Sequence, residues 1–202
     1  DLNILWLDYF SPGLNLTLGM RDLLRGYSGV GFPDVIFMKN HGLVVTGDSA
    51  KKVLFIHEKI NDTIKKFFNL SNDYPKVEIT ELGENSFASS SEYLLSFLKS
   101  YPEKIKRFSK DVLFPDQVVY CDSIGFNGLL EKKINFDLDD NNVFYQTNKK
   151  QAKTIEEILV AWIYLIKNIE KLNLSLVALS NTDIEYIAGM SSEKYRKNLV
   201  KQ

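Results

Sequence analysis

The chain has 202 residues and a mass of 23.2 kDa, which suggests one domain or slightly more. Hydrophobic residues make up 45 % of the sequence, an ordinary globular value that excludes wholesale disorder. The 25 basic and 26 acidic residues leave a net charge of −1, without the basic excess that phosphate contacts to nucleic acid require. The longest apolar run, residues 158–166, is well short of the ~20 residues of a membrane span.

Cysteine and histidine are scarce. The single cysteine, Cys121, cannot form an intrachain disulfide, and without a C-x-x-C motif a zinc finger is excluded. These features favour a reducing compartment, and we expect a cytoplasmic protein without a signal peptide. The two histidines are His41 and His57, so any metal site must use few imidazoles or take ligands from outside this chain.

The first third of the chain shows an α/β pattern. In chain order, the predicted elements are a buried strand at 4–9, a helix at 17–27, strands at 35–38 and 43–46 around a turn at 39–42, and a helix at 50–68. Ser49 lies at the expected cap of the last helix. The opening at Asp1 runs directly into an apolar segment, which suggests that residues are missing upstream.

A polar segment at 69–75 predicts a boundary, so we divide the chain into residues 1–72 and residues 76–202. The second part is expected to be an appended α+β unit. Its predicted strands are 76–82, 118–121, 134–138 and 143–146. Its predicted helices run from a Ser89/Glu92 capping box to 107, from a Thr154/Glu157 box to 172, from a Thr182/Glu185 box, and over 192–200.

His41 is the most informative single residue, because it lies at the hairpin tip beside Gly42. It is either a turn histidine that bonds to nearby backbone or a pre-organised metal ligand. His57 lies beside the apolar stripe of the next helix, which favours a solvated or half-buried role. Residues 137–148 begin like a calcium loop, but Asn142 and Asn148 stand where Gly and Glu are required, which favours a hairpin turn.

The segment 33–48 has Asn40-His41-Gly42-Leu43 at its centre and is preceded by Asp8-Tyr9-x-x-Pro12-Gly13-x-x-Leu16. These segments resemble the class II aldolase/adducin family. Residues 114–120 and the Met190-x-x-Glu193-x-Tyr195-Arg196 segment are similar to the extra C-terminal region of larger bacterial members. The resemblance touches most of the chain, and the block around His41 is its most specific part.

This resemblance implies a three-layer α/β/α fold for residues 1–72 and an active site between the subunits of a homotetramer. Family enzymes bind a divalent ion, usually zinc, through two histidines of a His-x-His motif and a third that matches His41. The metal assists retro-aldol cleavage of a sugar phosphate or a related hydroxy-carbonyl compound. The expected partners are therefore a small carbohydrate substrate and further copies of the chain, with no nucleic acid or membrane.

The sequence departs from the family at one decisive point, because it contains no His-x-His motif. The chain is then either the C-terminal part of a longer protein or a member that has lost the site. One imidazole is too few for zinc, so we expect His41 to act as a ligand in the intact protein and the chain alone to hold no catalytic metal. Three functions remain open: a zinc-dependent aldolase, a non-catalytic adducin-like assembly module, and a sugar-phosphate epimerase.

Overall fold

A computed structural model describes residues 2–70, 73–127 and 132–190. The chain divides into two compact units, Asp1–Ser71 (unit 1) and Asn72–Gln202 (unit 2), within the polar segment 69–75. The described residues form two β-sheets and seven helices, so the protein is of the mixed α/β class. None of the described helices combines the length and the apolar character that crossing a membrane requires.

Unit 1 contains a three-stranded mixed sheet and two helices. Its elements are β1 (Ile4–Leu7), α1 (Leu14–Gly26), β2 (Val35–Met38), β3 (Gly42–Val45) and α2 (Ala50–Phe67). The strand order is β1-β2-β3, with β1 parallel to β2 and β2 antiparallel to β3. The predicted hairpin and both predicted helices are present, with shifts of up to three residues at their ends.

Helix α2 covers one face of this sheet because its apolar residues recur at helical spacing. Ile56 and Ile60 are buried against Val35, with Phe37 and Val45 at the edge of the cluster. The helix begins where expected, since the Ser49 side chain accepts a hydrogen bond from the Lys52 amide at 3.3 Å. The β2–β3 hairpin is therefore held from one side by a capped amphipathic helix.

Unit 2 contains a five-stranded sheet and five helices in its described part. Its strands are β4 (Ile79–Gly83), β5 (Ser86–Ser89), β6 (Ile124–Phe126), β7 (Ile134–Asp137) and β8 (Asn142–Gln146). Its helices are α3 (Glu92–Ser100), α4 (Pro102–Ile105), α5 (Pro115–Tyr120), α6 (Lys149–Lys171) and α7 (Asn181–Gly189). The strand order is β4-β5-β8-β7-β6, antiparallel except between β6 and β7.

The 23-residue helix α6 is the centre of the unit 2 core. Leu159, Trp162 and Ile163 are completely buried, and they belong to one cluster with Phe97 of α3 and Phe136 of β7. Full burial of one such side chain is worth about 1.5–3 kcal/mol. The predicted helix at 154–172 corresponds to most of α6 and packs against this sheet, to which the predicted strands 134–138 and 143–146 belong.

Several predicted elements of unit 2 are wrong in detail. Residues 118–121 were expected to be a strand, but 115–120 form the short helix α5, because Pro115 pre-sets the first helical turn. The helix predicted to reach 107 ends at Ser100, just before Pro102, which starts α4. The sheet instead gains β5 and β6, which were not predicted. The helix expected at 192–200 lies outside the described residues.

All three predicted capping boxes of unit 2 are misplaced. The residues at the N-cap positions are Ser91, Asn148 and Ser180. Thr154 lies inside α6, where its hydroxyl donates to the Lys150 carbonyl at 3.1 Å. Each motif matched in sequence but lay two to six residues after or before the true N-cap; at α6 and α7 the Asn148 and Ser180 side chains accept the capping hydrogen bond instead, whereas Ser91 makes none.

Candidate functional site

The tip of the β2–β3 hairpin is the candidate site in unit 1. Met38 pairs with Gly42, which leaves Lys39, Asn40 and His41 as a three-residue loop. Asn40 has a left-handed φ of 54°, and Gly42 has a φ of 141°, which only glycine adopts without strain. The His41 amide donates to the Met38 carbonyl at 3.1 Å. This short loop fixes the backbone from which the imidazole projects.

The hairpin is tied to its neighbours along its length. The Lys39 amide donates to the Leu7 carbonyl at 3.0 Å, at the end of β1. Asp34 accepts from the Asn3 amide at 2.8 Å, at the start of the same parallel pair. The loop that carries His41 therefore extends from a strand that is bonded on both sides, which suits a group that must be positioned for binding.

The imidazole of His41 is half-buried, and its Nδ1 atom is shielded from solvent. A histidine that binds a metal commonly uses one ring nitrogen for the ion and the other for a hydrogen bond within the protein. Since Nδ1 faces the protein, we assign any ligand role of His41 to Nε2.

The other polar residues considered from the sequence do not join His41. His57 is exposed on α2, where its Nδ1 lies 3.2 Å from the Asn61 amide nitrogen. The Asp48 carboxylate forms a local ion pair with the Lys52 ammonium group at the start of α2, with 3.9 Å between Oδ2 and Nζ. Across the three described stretches, no group of three or more His, Cys, Asp or Glu side chains could hold a metal ion. At the hairpin tip, the described residues therefore provide one imidazole, fewer than zinc requires.

The segment that begins like a calcium loop forms a hairpin turn between β7 and β8. The Asp137 carboxylate accepts from the amides of Asp139 and Asp140 at 3.1 Å and 3.0 Å. Asn141 then adopts a left-handed φ of 54°. These contacts form an Asx turn, so the Asp137 carboxylate is engaged in hydrogen bonds with the local backbone.

A buried polar network in unit 2 was missed from the sequence. Glu156 of α6 is 0 % exposed, and its Oε1 accepts from the Ser89 hydroxyl at 2.7 Å. Its Oε2 accepts from the Tyr145 hydroxyl. Burial raises the pKa of Glu156, and the surrounding hydroxyls of Ser91, Tyr145 and Ser89 lower it in part. Burial also raises the pKa of Tyr145, which keeps its hydroxyl protonated as a donor.

One sequence signal could have revealed the burial of Glu156, though not its partners. Glu156 lies four residues after Ala152, three before Leu159 and seven before Ile163, all of which are fully buried. An acidic residue in the middle of such a stripe must be buried with it. The adjacent Glu157, which the capping-box motif singles out, is exposed.

The buried cysteine does not form a candidate site. Burial raises the pKa of the Cys121 thiol, so it is held as an unreactive thiol. Tyr195 and Arg196, which belong to the C-terminal motif of the resemblance, lie outside the described residues.

Comparison with known proteins gives no match, whether with protein-family models, curated proteins or solved structures. The similarity to the class II aldolase/adducin family stays a prediction that depends on the motifs around His41.

Proposed function

We propose that the chain belongs to a class II aldolase-like protein that cleaves a sugar phosphate or a related hydroxy-carbonyl compound with the help of zinc. The observation that supports this is the position of His41, at the tip of a sheet hairpin that leads through Ser49 into a packed helix. That is the context in which the resemblance places the third metal ligand. The finer features of the proposal are a three-layer fold for unit 1, a homotetramer and a cytoplasmic location.

The described residues do not form a zinc site on their own. In this proposal, the chain contributes the Nε2 atom of His41, and residues beyond the described part contribute the remaining ligands. The loop holds one imidazole in place before the ion binds. Because the loop has only three residues and is held by the flanking strands, little conformational entropy is lost on binding.

The proposal predicts a selective effect of His41→Ala in the full-length protein. Loss of a direct ligand should weaken zinc binding by more than the roughly 10–100-fold that loss of an outer partner costs. Carbonyl-substrate cleavage should fall in parallel. The melting temperature should change little, because the side chain is half-buried on a loop. Zinc content, melting temperature and cleavage rate are the three measurements.

His57→Ala is the matched control, since it removes an exposed imidazole from α2. It should leave zinc content and cleavage unchanged. Full zinc occupancy and normal turnover in His41→Ala would reject the ligand role.

A specific observation favours a second function, that of a non-catalytic adducin-like assembly module. Unit 1 exposes large apolar side chains, among them Trp6 at 60 %, Phe32 at 60 % and Phe55 at 63 %. Exposed apolar surface of this kind is typical of protein interaction sites. A full-length protein that assembles without zinc, and whose assembly is unaffected by His41→Ala, would favour this function over the lyase.

A further inference from the structure

The carboxyl group of Glu156 lies in the interior of unit 2, on the side of α6 that faces the sheet. Its neighbours one turn away along the helix, Ala152, Leu159 and Val160, are all 0 % exposed. An ionised carboxylate in such surroundings is costly unless it is paired and hydrogen-bonded. The partners that the fold provides therefore decide in which protonation state this group is tolerated.

These partners are hydroxyl groups from different elements. Ser89 ends β5, and Tyr145 lies in β8; each donates to one oxygen of Glu156. The Ser89 hydroxyl in turn accepts from the amide of Ser91, the residue that precedes α3, at 3.4 Å. Ser91 bonds back to both the amide and the carbonyl of Glu78, at 2.8 Å and 3.2 Å. One carboxyl group thus links α6 to two strands and to the segments that flank β4 and α3.

No basic side chain within the described residues forms an ion pair with Glu156. The titratable group that faces it from β8 is Tyr145 itself; Ser89 of β5 and Ser91, just before α3, offer only hydroxyls, and Glu92 at the start of α3 is exposed. Beyond Tyr145 lies Cys121, and Lys133 close to that thiol is already paired with Asp122 at 2.6 Å. The charge of an ionised Glu156 would therefore be balanced by hydroxyl dipoles alone.

We propose that Glu156 is a proton-controlled latch that holds α6 against the ends of β5 and β8. When the group is ionised, both hydroxyls can donate to it, but a charge is buried without a counter-ion. When it is protonated, the charge is gone, and one hydroxyl must accept from the carboxylic acid instead. Burial favours the neutral form and the hydroxyls favour the ionised form, so the balance is set to change with pH.

The sign of the effect follows from the direction of the shift. Because the pKa of Glu156 is raised in the folded state, its contribution to stability is fully present below the ordinary value of 4.5. That contribution is lost as the pH rises through the raised folded value. Unit 2 should therefore be most stable below the ordinary value and should lose this contribution between the ordinary and the raised folded pKa, with no further loss above the folded value.

The test compares melting temperatures of the wild type, Glu156→Gln and Glu157→Gln from about pH 4.5 to pH 8.5. Relative to Glu156→Gln, the wild type should lose roughly 4–8 °C for each pH unit by which the folded pKa exceeds the ordinary one. Glu157→Gln removes the neighbouring exposed carboxylate and should keep the wild-type pH dependence. Parallel profiles for the wild type and Glu156→Gln would overturn the latch.

A direct titration keeps the proposal testable if Glu156→Gln does not fold. In wild-type protein labelled with ¹³C in glutamate, one buried carboxyl signal should titrate above the ordinary value. Ser89→Ala, which removes one donor, should move that midpoint further upward and so assign the signal. A buried carboxyl that titrates at or below the ordinary glutamate value would reject the latch without any use of the Gln variant.

Discussion

The two units differ in how completely they bury their apolar residues. In unit 1, helix α2 buries the stripe of Ile56 and Ile60 and leaves Leu54 and Phe55 more than 60 % exposed. In unit 2, the longer helix α6 buries residues on several faces, from Ala152 to Ile166. Both helices follow a hairpin and have similar sequence patterns. The difference shows that an apolar stripe predicts which side of a helix is buried but not how much of the remaining helix surface is buried with it.

The two tryptophans give the largest test of this comparison, because each unit contains one. Trp162 is 0 % exposed, and its Nε1 donates to the Asp111 carbonyl at 2.9 Å, whereas Trp6 is 60 % exposed. Trp162→Ala should lower the free energy of unfolding of unit 2 by about 3–5 kcal/mol. Trp6→Ala should cost unit 1 about 1 kcal/mol or less. Urea unfolding, monitored by amide hydrogen exchange in each unit, measures both changes in the free energy of unfolding.

Trp162→Phe retains part of the aromatic packing at the buried position. It keeps a six-membered ring between Phe97 and Phe108 and removes the pyrrole ring together with its N–H donor. Its cost should be clearly smaller than that of Trp162→Ala. Equal costs for Trp6→Ala and Trp162→Ala would contradict the difference between the two units.

The local elements were largely predictable because their signals lie within a few residues of each other. The hairpin at β2–β3, the helix after Ser49 and the hairpin at β7–β8 each depend on an apolar pattern next to turn-forming residues. Residues 118–121 were mispredicted because two valines favour a strand, while Pro115 and the buried Gln117 select a helix turn. Strand β5 was not predicted because it is short and consists mostly of small residues, Ser86–Ser89.

The candidate site was predictable only in part, for a related reason. His41 stands out in sequence, and its place at the tip of the hairpin follows from local turn chemistry. In the buried network of unit 2, Glu156 is bonded to Ser89, which lies 67 positions away in the sequence. No local pattern encodes such a pairing, and only the register of α6 against the sheet brings the two groups together.

Gln117 offers the next test, on the polar side of the unit 2 interior. It is 3 % exposed; its amide group donates to the carbonyls of Phe108 and Asp111, and its oxygen accepts from the Leu113 amide at 3.0 Å. Gln117→Ala removes these hydrogen bonds from buried backbone groups and should cost about 1–3 kcal/mol. Lys110→Ala, on the exposed part of the same loop, should cost less than about 0.5 kcal/mol.

Thermal unfolding of unit 2 measures both variants. If Gln117→Ala were as stable as Lys110→Ala, the loop at 108–113 would be held by packing alone. The hydrogen bonds of Gln117 would then be replaced by water at no cost, which would mean that this part of the interior is open to solvent.

The two hairpin turns provide the smallest and most controlled comparison. Asn40 in unit 1 and Asn141 in unit 2 share the same left-handed φ of 54°. A β-branched residue is strained in that conformation and glycine is not, so each Asn→Val variant should be about 1–2 kcal/mol less stable than the matching Asn→Gly variant. Comparing Val with Gly removes the contribution of the asparagine side chain. Denaturant unfolding of the four variants gives the two differences.

Because the strain is local, the difference between Val and Gly should be the same at both turns, although the cores differ greatly in size. The consequence should differ, however, since the same loss is a larger share of the stability of a thinly packed unit. Amide hydrogen exchange should therefore rise across the whole of unit 1 in Asn40→Val but only near the turn in Asn141→Val. If increased exchange spread equally far in both units, the extent of apolar burial would not determine how cooperatively each unit unfolds.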